Sequence, residues 1–114
     1  MPKIKIRAKS VEMTAELNDC EAAKKLWEAL PMKSSAQTWG REVYFEIPVD
    51  APEQDAKAKV ASGTIAYWPV GKCFCIFFGQ TPYSPVNVLG KLDGDPDEFA
   101  KVEAGEDIHL EKAE

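Results

Sequence analysis

Strict alternation opens the chain. Ile4 and Ile6 are separated by Lys3, Lys5 and Arg7, while Glu12, Thr14 and Glu16 separate Val11, Met13, Ala15 and Leu17. A period of two predicts half-buried strands, here over residues 3–8 and 11–17. A two-residue turn at Lys9-Ser10 sets Lys3 opposite Glu16 and Arg7 opposite Glu12, and the same register sets Ile4 opposite Ala15 and Ile6 opposite Met13. One pairing thus satisfies both faces of a hairpin. The period then lengthens. Ala23, Leu26, Trp27 and Leu30 fall at helical spacing, with Glu21/Lys25 and Lys24/Glu28 as pairs on the wet side. Asn18-Asp19-Cys20-Glu21 has capping-box spacing, which predicts Asn18 as the N-cap and Cys20 in the first turn. Pro31 ends the helix.

Beyond it, residues 32–39 and 42–49 read as a second pair of strands around Gly40. In the latter, Val43, Phe45 and Ile47 share one face, and Tyr44 and Glu46 the other. Residues 50–62 hold Ala, Lys, Pro and acids with little to bury, which predicts a long surface excursion with an edge strand near Val60. Residues 64–68 and 73–78 read as two buried strands, the second apolar on both faces and so expected at the centre of the sheet. Residues 79–85 form a proline-punctuated loop, and residues 86–89 restart the sheet. Asp95-Pro96-Asp97-Glu98 opens a short helix, with Phe99 and Val102 facing inward and Gly105 past its end. Ile108 and Leu110 alternate with His109 and Glu111 in the last strand. About eight short strands with two helices predict a mainly β, closed barrel capped by the helices, as a single domain over residues 1–114.

Composition narrows the function classes. The chain has 114 residues, 45% of them hydrophobic and 29% charged, and a net charge of −5 that argues against a nucleic-acid binder. Charge is uneven: residues 91–114 carry 3 Lys/Arg against 9 Asp/Glu, whereas residues 1–90 carry 11 against 10. The acidic end reads as a solvated edge. With no long apolar run and no apolar core near the start, neither a membrane span nor a secretory signal is expected, and the protein reads as cytoplasmic. Three cysteines, Cys20, Cys73 and Cys75, are expected as reduced thiols. Cys73 and Cys75 share a strand face as small buried hydrophobes. A zinc site needs more ligands, and His109 lies far along the chain, so no metal is expected. Phosphate-binding and nucleophile-elbow motifs are absent, so no cofactor is expected.

Several stretches carry a family resemblance. They are Asn18 to Pro31; Trp39-Gly40 with Tyr44-Phe45-Glu46-Ile47-Pro48; Gly63 to Pro69; Phe74 to Gly79; and Ser84 to Gly90. Together they resemble the small prokaryotic cyclophilin-like proteins of uncharacterised function. The resemblance implies a cyclophilin-like barrel. True cyclophilins are peptidyl-prolyl isomerases that hold an X-Pro peptide on the outer face of the barrel. An arginine there donates near the prolyl nitrogen, in a Phe-His-Arg context on the strand after the first helix. In this chain that strand reads Met32-Lys33-Ser34-Ser35-Ala36-Gln37-Thr38-Trp39, without that motif, and Arg41 is the remaining candidate for the donor. The stretch Cys73 to Phe78 keeps the apolar character of the cyclophilin Ser-Gln-Phe-Phe strand without its glutamine.

The expectation is therefore a cleft that binds a small ligand or an extended peptide without efficient catalysis. Its candidate residues are Tyr44, Glu46, Tyr67, Trp68, Phe77, Gln80, Thr81 and Tyr83, since aromatic walls with a few polar groups suit such ligands. An isomerase with an atypical site is the first alternative. An interaction subunit or homo-oligomer using the acidic end or a sheet edge is the second.

Overall fold

The computed structural model describes residues 2–79, 82 and 84–113. The first two strands, β1 (Lys3–Arg7) and β2 (Glu12–Leu17), pair antiparallel in the register the alternation predicts, Lys3 with Glu16 through Arg7 with Glu12. The helix α1 (Glu21–Ala29) follows, but its N-cap is Cys20, whose Sγ accepts the Ala23 N–H at 3.4 Å. Asn18 lies two residues too early to cap. Its Oδ1 accepts the Cys20 N–H, and its Nδ2 donates to the carbonyl of Val88 at 2.7 Å, tying the approach of the helix to the sheet.

The remaining strands are β3 (Met32–Ser35), β4 (Gln37–Thr38), β5 (Glu42–Glu46), β6 (Thr64–Trp68), β7 (Cys73–Phe77), β8 (Asn87–Leu92) and β9 (Asp107–Lys112). A 3-10 helix, Pro96–Lys101, precedes the last of these and is capped by Asp95. Among the described residues all nine strands form one antiparallel sheet in the order β3-β9-β1-β2-β8-β6-β7-β5-β4. The two edge strands, β3 and β4, are separated in sequence by Ala36 alone. The stretch predicted as one strand over 32–39 therefore bends at this residue and pairs with β9 on one side and β5 on the other, which nearly closes the barrel. That bend turns about eight expected strands into nine. Ala36 is fully buried there, and its N–H and C=O are both paired, with Glu106 and Gly105.

Inward-facing residues of every long strand fill the barrel: Ile4 and Ile6, Ala15 and Leu17, Val43 and Phe45, Ile65 and Tyr67, Phe74 and Ile76, Leu89, and Ile108 and Leu110, with Leu26 from α1 and Phe99 from the 3-10 helix. At Gly90, opposite Leu17, β8 lies close against the backbone of β2. A Cβ there would lie 1.8 Å from the Glu16 carbonyl oxygen, so a side chain would force the strands apart.

The excursion over residues 50–62 contains no strand near Val60. A single antiparallel bridge forms at Lys57, to Val86, and Val60 packs against the outside of the sheet. Buried polar groups pin this segment. The Asn87 amide accepts the Gln54 N–H and donates to the Pro52 carbonyl, both at 2.9 Å. The Tyr67 hydroxyl donates to the Val49 carbonyl at 2.7 Å and accepts from the Ala51 N–H. The sequence of the excursion has few apolar residues to anchor it, so its partners had to come from elsewhere in the chain. No helix among the described residues is long and apolar enough to cross a membrane.

Candidate functional site

β8, β6, β7, β5 and β4 are neighbours, and their outward face is apolar as well. Ala66, Cys73, Cys75, Phe77 and Val86 form a second buried cluster, joined by Tyr44, Val60 and Trp68. Strand alternation produces this arrangement. Val43 and Phe45 point in, so Glu42, Tyr44 and Glu46 point out; Phe74 and Ile76 point in, so Cys73, Cys75 and Phe77 point out.

The excursion covers one end of this face, and the other end is left as a hollow of about 160 Å³. Phe77 and Cys75 of β7 lie beneath it, and Glu42 and Tyr44 of β5 stand on one side with Trp39 from the turn before that strand. Trp68 of β6 stands on the other side with Val86, Ser84 and Pro82. The indole N–H of Trp68 donates to the Ser84 hydroxyl, which fixes the ring against the loop. Trp39 is 42% exposed, an unusual placement for the largest apolar side chain. The hollow is thus a cleft between aromatic side chains with a carboxyl group and a thiol in its wall.

Glu42 is 6% exposed, and burial pushes its carboxyl up to about 7; a hydrogen bond with Cys75 acts the other way. Burial, then the Glu42 charge and hydrogen bond, raise the Cys75 thiol well above its ordinary value. Burial, then the charges of Glu46 and Glu42, push Cys73 up to about 11. Both thiols therefore stay protonated at neutral pH and are poor nucleophiles. All three cysteines are free. Among the described residues, no group of three or more His, Cys, Asp and Glu is placed to hold a metal ion.

The structure brings Tyr44, Trp68 and Phe77 together at the cleft, with Phe77 fully buried as its floor. Tyr67 lies on the opposite face of the same strand as Trp68, in the barrel core at 1% exposure, and does not line the cleft. An aromatic ring followed by another along one strand must split between the two faces. Glu46 shares the outer face but is exposed and lies beyond the lining. Gln80, Thr81 and Tyr83 lie outside the described residues. Arg41 does not line the hollow. Its Nε donates to the Phe78 carbonyl at 2.9 Å, one terminal nitrogen pairs with Asp97 at 2.7 Å, and the guanidinium lies 5.1 Å from the centre of the Phe78 ring.

Sequence reasoning did not single out Trp39, Glu42, Cys75, Ser84 or Val86 as lining residues. The signal for Glu42 was present, since it stands two residues before Tyr44 and must share its face. Only the pairing of β5 with β7, Tyr44 against Cys75 and Glu42 against Phe77, shows how close that face lies to the C-x-C strand.

A nearly closed antiparallel barrel with an aromatic cleft on its outside is the architecture of a cyclophilin-like domain. The family described as Cyclophilin-like matches residues 2–111, and the chain belongs to it. It is similar over 98% of its length, at 34% identity and a TM-score of 0.84, to the hypothetical protein AF2241 from Archaeoglobus fulgidus, of which 95% is covered. A second solved structure, McbB in complex with tryptophan, matches with a TM-score of 0.75 at 16% identity, over 96% of this chain and 44% of that one, a likeness of fold alone. No curated protein matches.

Proposed function

We propose that this protein is a binding domain whose outer cleft takes a small ligand, or the side chain of an extended peptide, among Trp39, Tyr44 and Trp68 over the floor of Phe77. The observation that carries the reading is the hollow itself: aromatic side chains from separate strands converge on it, and one of them, Trp39, stays substantially exposed. Large rings left open to water around a concavity are a feature of ligand sites. Its volume is close to that of the dry cavity of about 150 Å³ that accommodates benzene in an engineered protein, so a compact ligand fits better than a long one. A protein of similar fold, McbB, has been solved with tryptophan, an aromatic small molecule, which is in keeping with this reading.

The reading assigns no efficient isomerase activity. Lowering the barrier to prolyl rotation needs a fixed donor near the prolyl nitrogen, and the guanidinium of Arg41 is engaged with Phe78 and Asp97 instead. A protease-coupled assay with an Ala-Pro peptide is expected to run at the background rate. Nuclear magnetic resonance titration with a metabolite mixture and with proline peptides tests the binding itself. Shifts centred on the Trp39 and Trp68 indoles support it, and a panel that moves resonances elsewhere or not at all refutes it.

A further inference from the structure

We propose that the cleft selects a small organic cation, a protonated or quaternary amine on a compact apolar or aromatic body, with its positive group against the Glu42 carboxylate. This rests on the binding reading above and adds the charge of the ligand. The geometry supplies two independent attractions for such a group. Glu42 lies in the wall of a lining that is otherwise aromatic, aliphatic, thiol or hydroxyl, and the hydrogen bond of its side chain is to Cys75. A thiol is a weak donor, whereas a carboxylate accepts about four bonds. A carboxylate set in an otherwise uncharged wall, with a weak donor beside it, gains from a ligand of opposite sign. The second attraction comes from the rings. Trp39, Tyr44 and Trp68 line the same hollow, and aromatic faces, indole above all, attract cations more strongly where water is excluded.

The converse choices fit less well. An anion would meet the Glu42 carboxylate, with no Lys or Arg among the described lining residues to offset it. A neutral apolar ligand would cover the carboxyl without giving it a partner. The groups around Glu42 are Phe77 directly across and Cys75 diagonally on β7, Tyr44 next on the same face of its own strand, Trp39 on the other side, whose N–H donates to the Glu42 carbonyl, and Ser84 in the same lining; none of them carries a positive charge, and the Cys75 thiol is held protonated. Arg41, next in sequence, does not line the hollow, and its guanidinium pairs with Asp97.

The inference makes binding dependent on proton loss. Burial lifts the Glu42 carboxyl to about 7. A bound cation favours the carboxylate, so affinity is expected to fall about tenfold between pH 8 and pH 6, and binding near pH 7 is expected to release a fraction of a proton.

The test uses a matched pair of probes, phenethylammonium and 2-phenylethanol, titrated by calorimetry at pH 6, 7 and 8 in buffers of different ionisation enthalpy. The expected result is a cation at least about tenfold tighter than the alcohol at pH 8, with proton release near neutrality in the wild-type chain. Glu42→Gln is expected to remove the preference. If that variant does not fold, the buffer dependence of the wild type still decides. Equal affinities for the two probes, or no proton release on binding the cation, overturn the inference and leave the cleft reading standing. The same holds if neither probe binds while the metabolite mixture still moves the cleft resonances. If no compound moves those resonances, both fall.

Discussion

β5, β7 and β6 bury apolar side chains on both faces, and the two faces behave differently. The inner one carries Val43, Phe45, Phe74, Ile76 and Tyr67 into the closed barrel, with Phe45 and Phe74 stacked at 5.2 Å between ring centres. Its one polar tip, the Tyr67 hydroxyl, is satisfied in both directions by backbone groups of Val49 and Ala51. The outer one carries Glu42, Tyr44, Cys75, Phe77 and Trp68 beneath a loop and an excursion that leave a gap. Its polar tip is a carboxyl bonded to a thiol, held at about 7 by its surroundings. A core is finished when every polar group has found a strong partner. By that measure the inner face is complete in the isolated chain, and the outer face has room for something more.

The contrast can be broken by deletion. Phe74→Ala removes a ring from the inner face with no solvent route to refill the space, and is expected to cost about 3–5 kcal/mol in denaturant unfolding. A loss under about 1 kcal/mol would mean that the barrel interior is loosely packed and that the two faces do not differ.

Glu42 sharpens the contrast through pH. Its carboxyl rises from 4.5 in the free residue to about 7 in the fold. Between these values the folded chain holds a proton that the unfolded chain has released. Stability from the neutral form is therefore fully present below about 4.5 and is lost as pH climbs through about 7, a change on the order of 3 kcal/mol. Glu42→Gln cannot titrate, so it is expected to match the wild type near pH 4.5 and exceed it at pH 8, as followed by urea unfolding at both values. Asp93 acts with the opposite sign in a lower window. Hydrogen bonds from Lys3 and Thr14 hold its carboxyl below the ordinary 3.8, so its contribution fades only as pH falls beneath that range and does not mask the effect of Glu42.

Tyr67→Phe leaves the Val49 carbonyl and Ala51 N–H without their partner, and is expected to cost about 1–2 kcal/mol while ligand binding at the cleft is retained. The smallest effect on stability is expected from Trp39→Ala, below about 1 kcal/mol because the ring is already substantially exposed. The same variant is expected to weaken binding of the cationic probe severalfold. Calorimetry alongside thermal melts separates the two outcomes. A variant of Trp39 that melts early yet binds normally would place that ring in the fold and out of the site.

Local pattern determined the strands, the hairpin register and the identity of most core residues, because alternation and helical spacing act between near neighbours. The match of Lys3 to Glu16 and Ile4 to Ala15 needed nothing beyond the chain itself. The same alternation placed Tyr44 and Glu46 on one face, opposite Val43 and Phe45, though it does not say which face looks outward. Only the tertiary structure decided that the strand over 32–39 bends at Ala36 to close the barrel, that Cys20 and not Asn18 caps the helix, and that residues 50–62 are held by Asn87 and Tyr67. It alone turned Trp39, Glu42, Tyr44, Trp68 and Phe77 into one wall-lined space and sent Arg41 to Asp97. The physical reason is that a cleft is made by strands distant in sequence. Each contributes one or two side chains by its own simple periodicity, and their convergence is fixed by the closure of the sheet, which no short stretch of residues encodes.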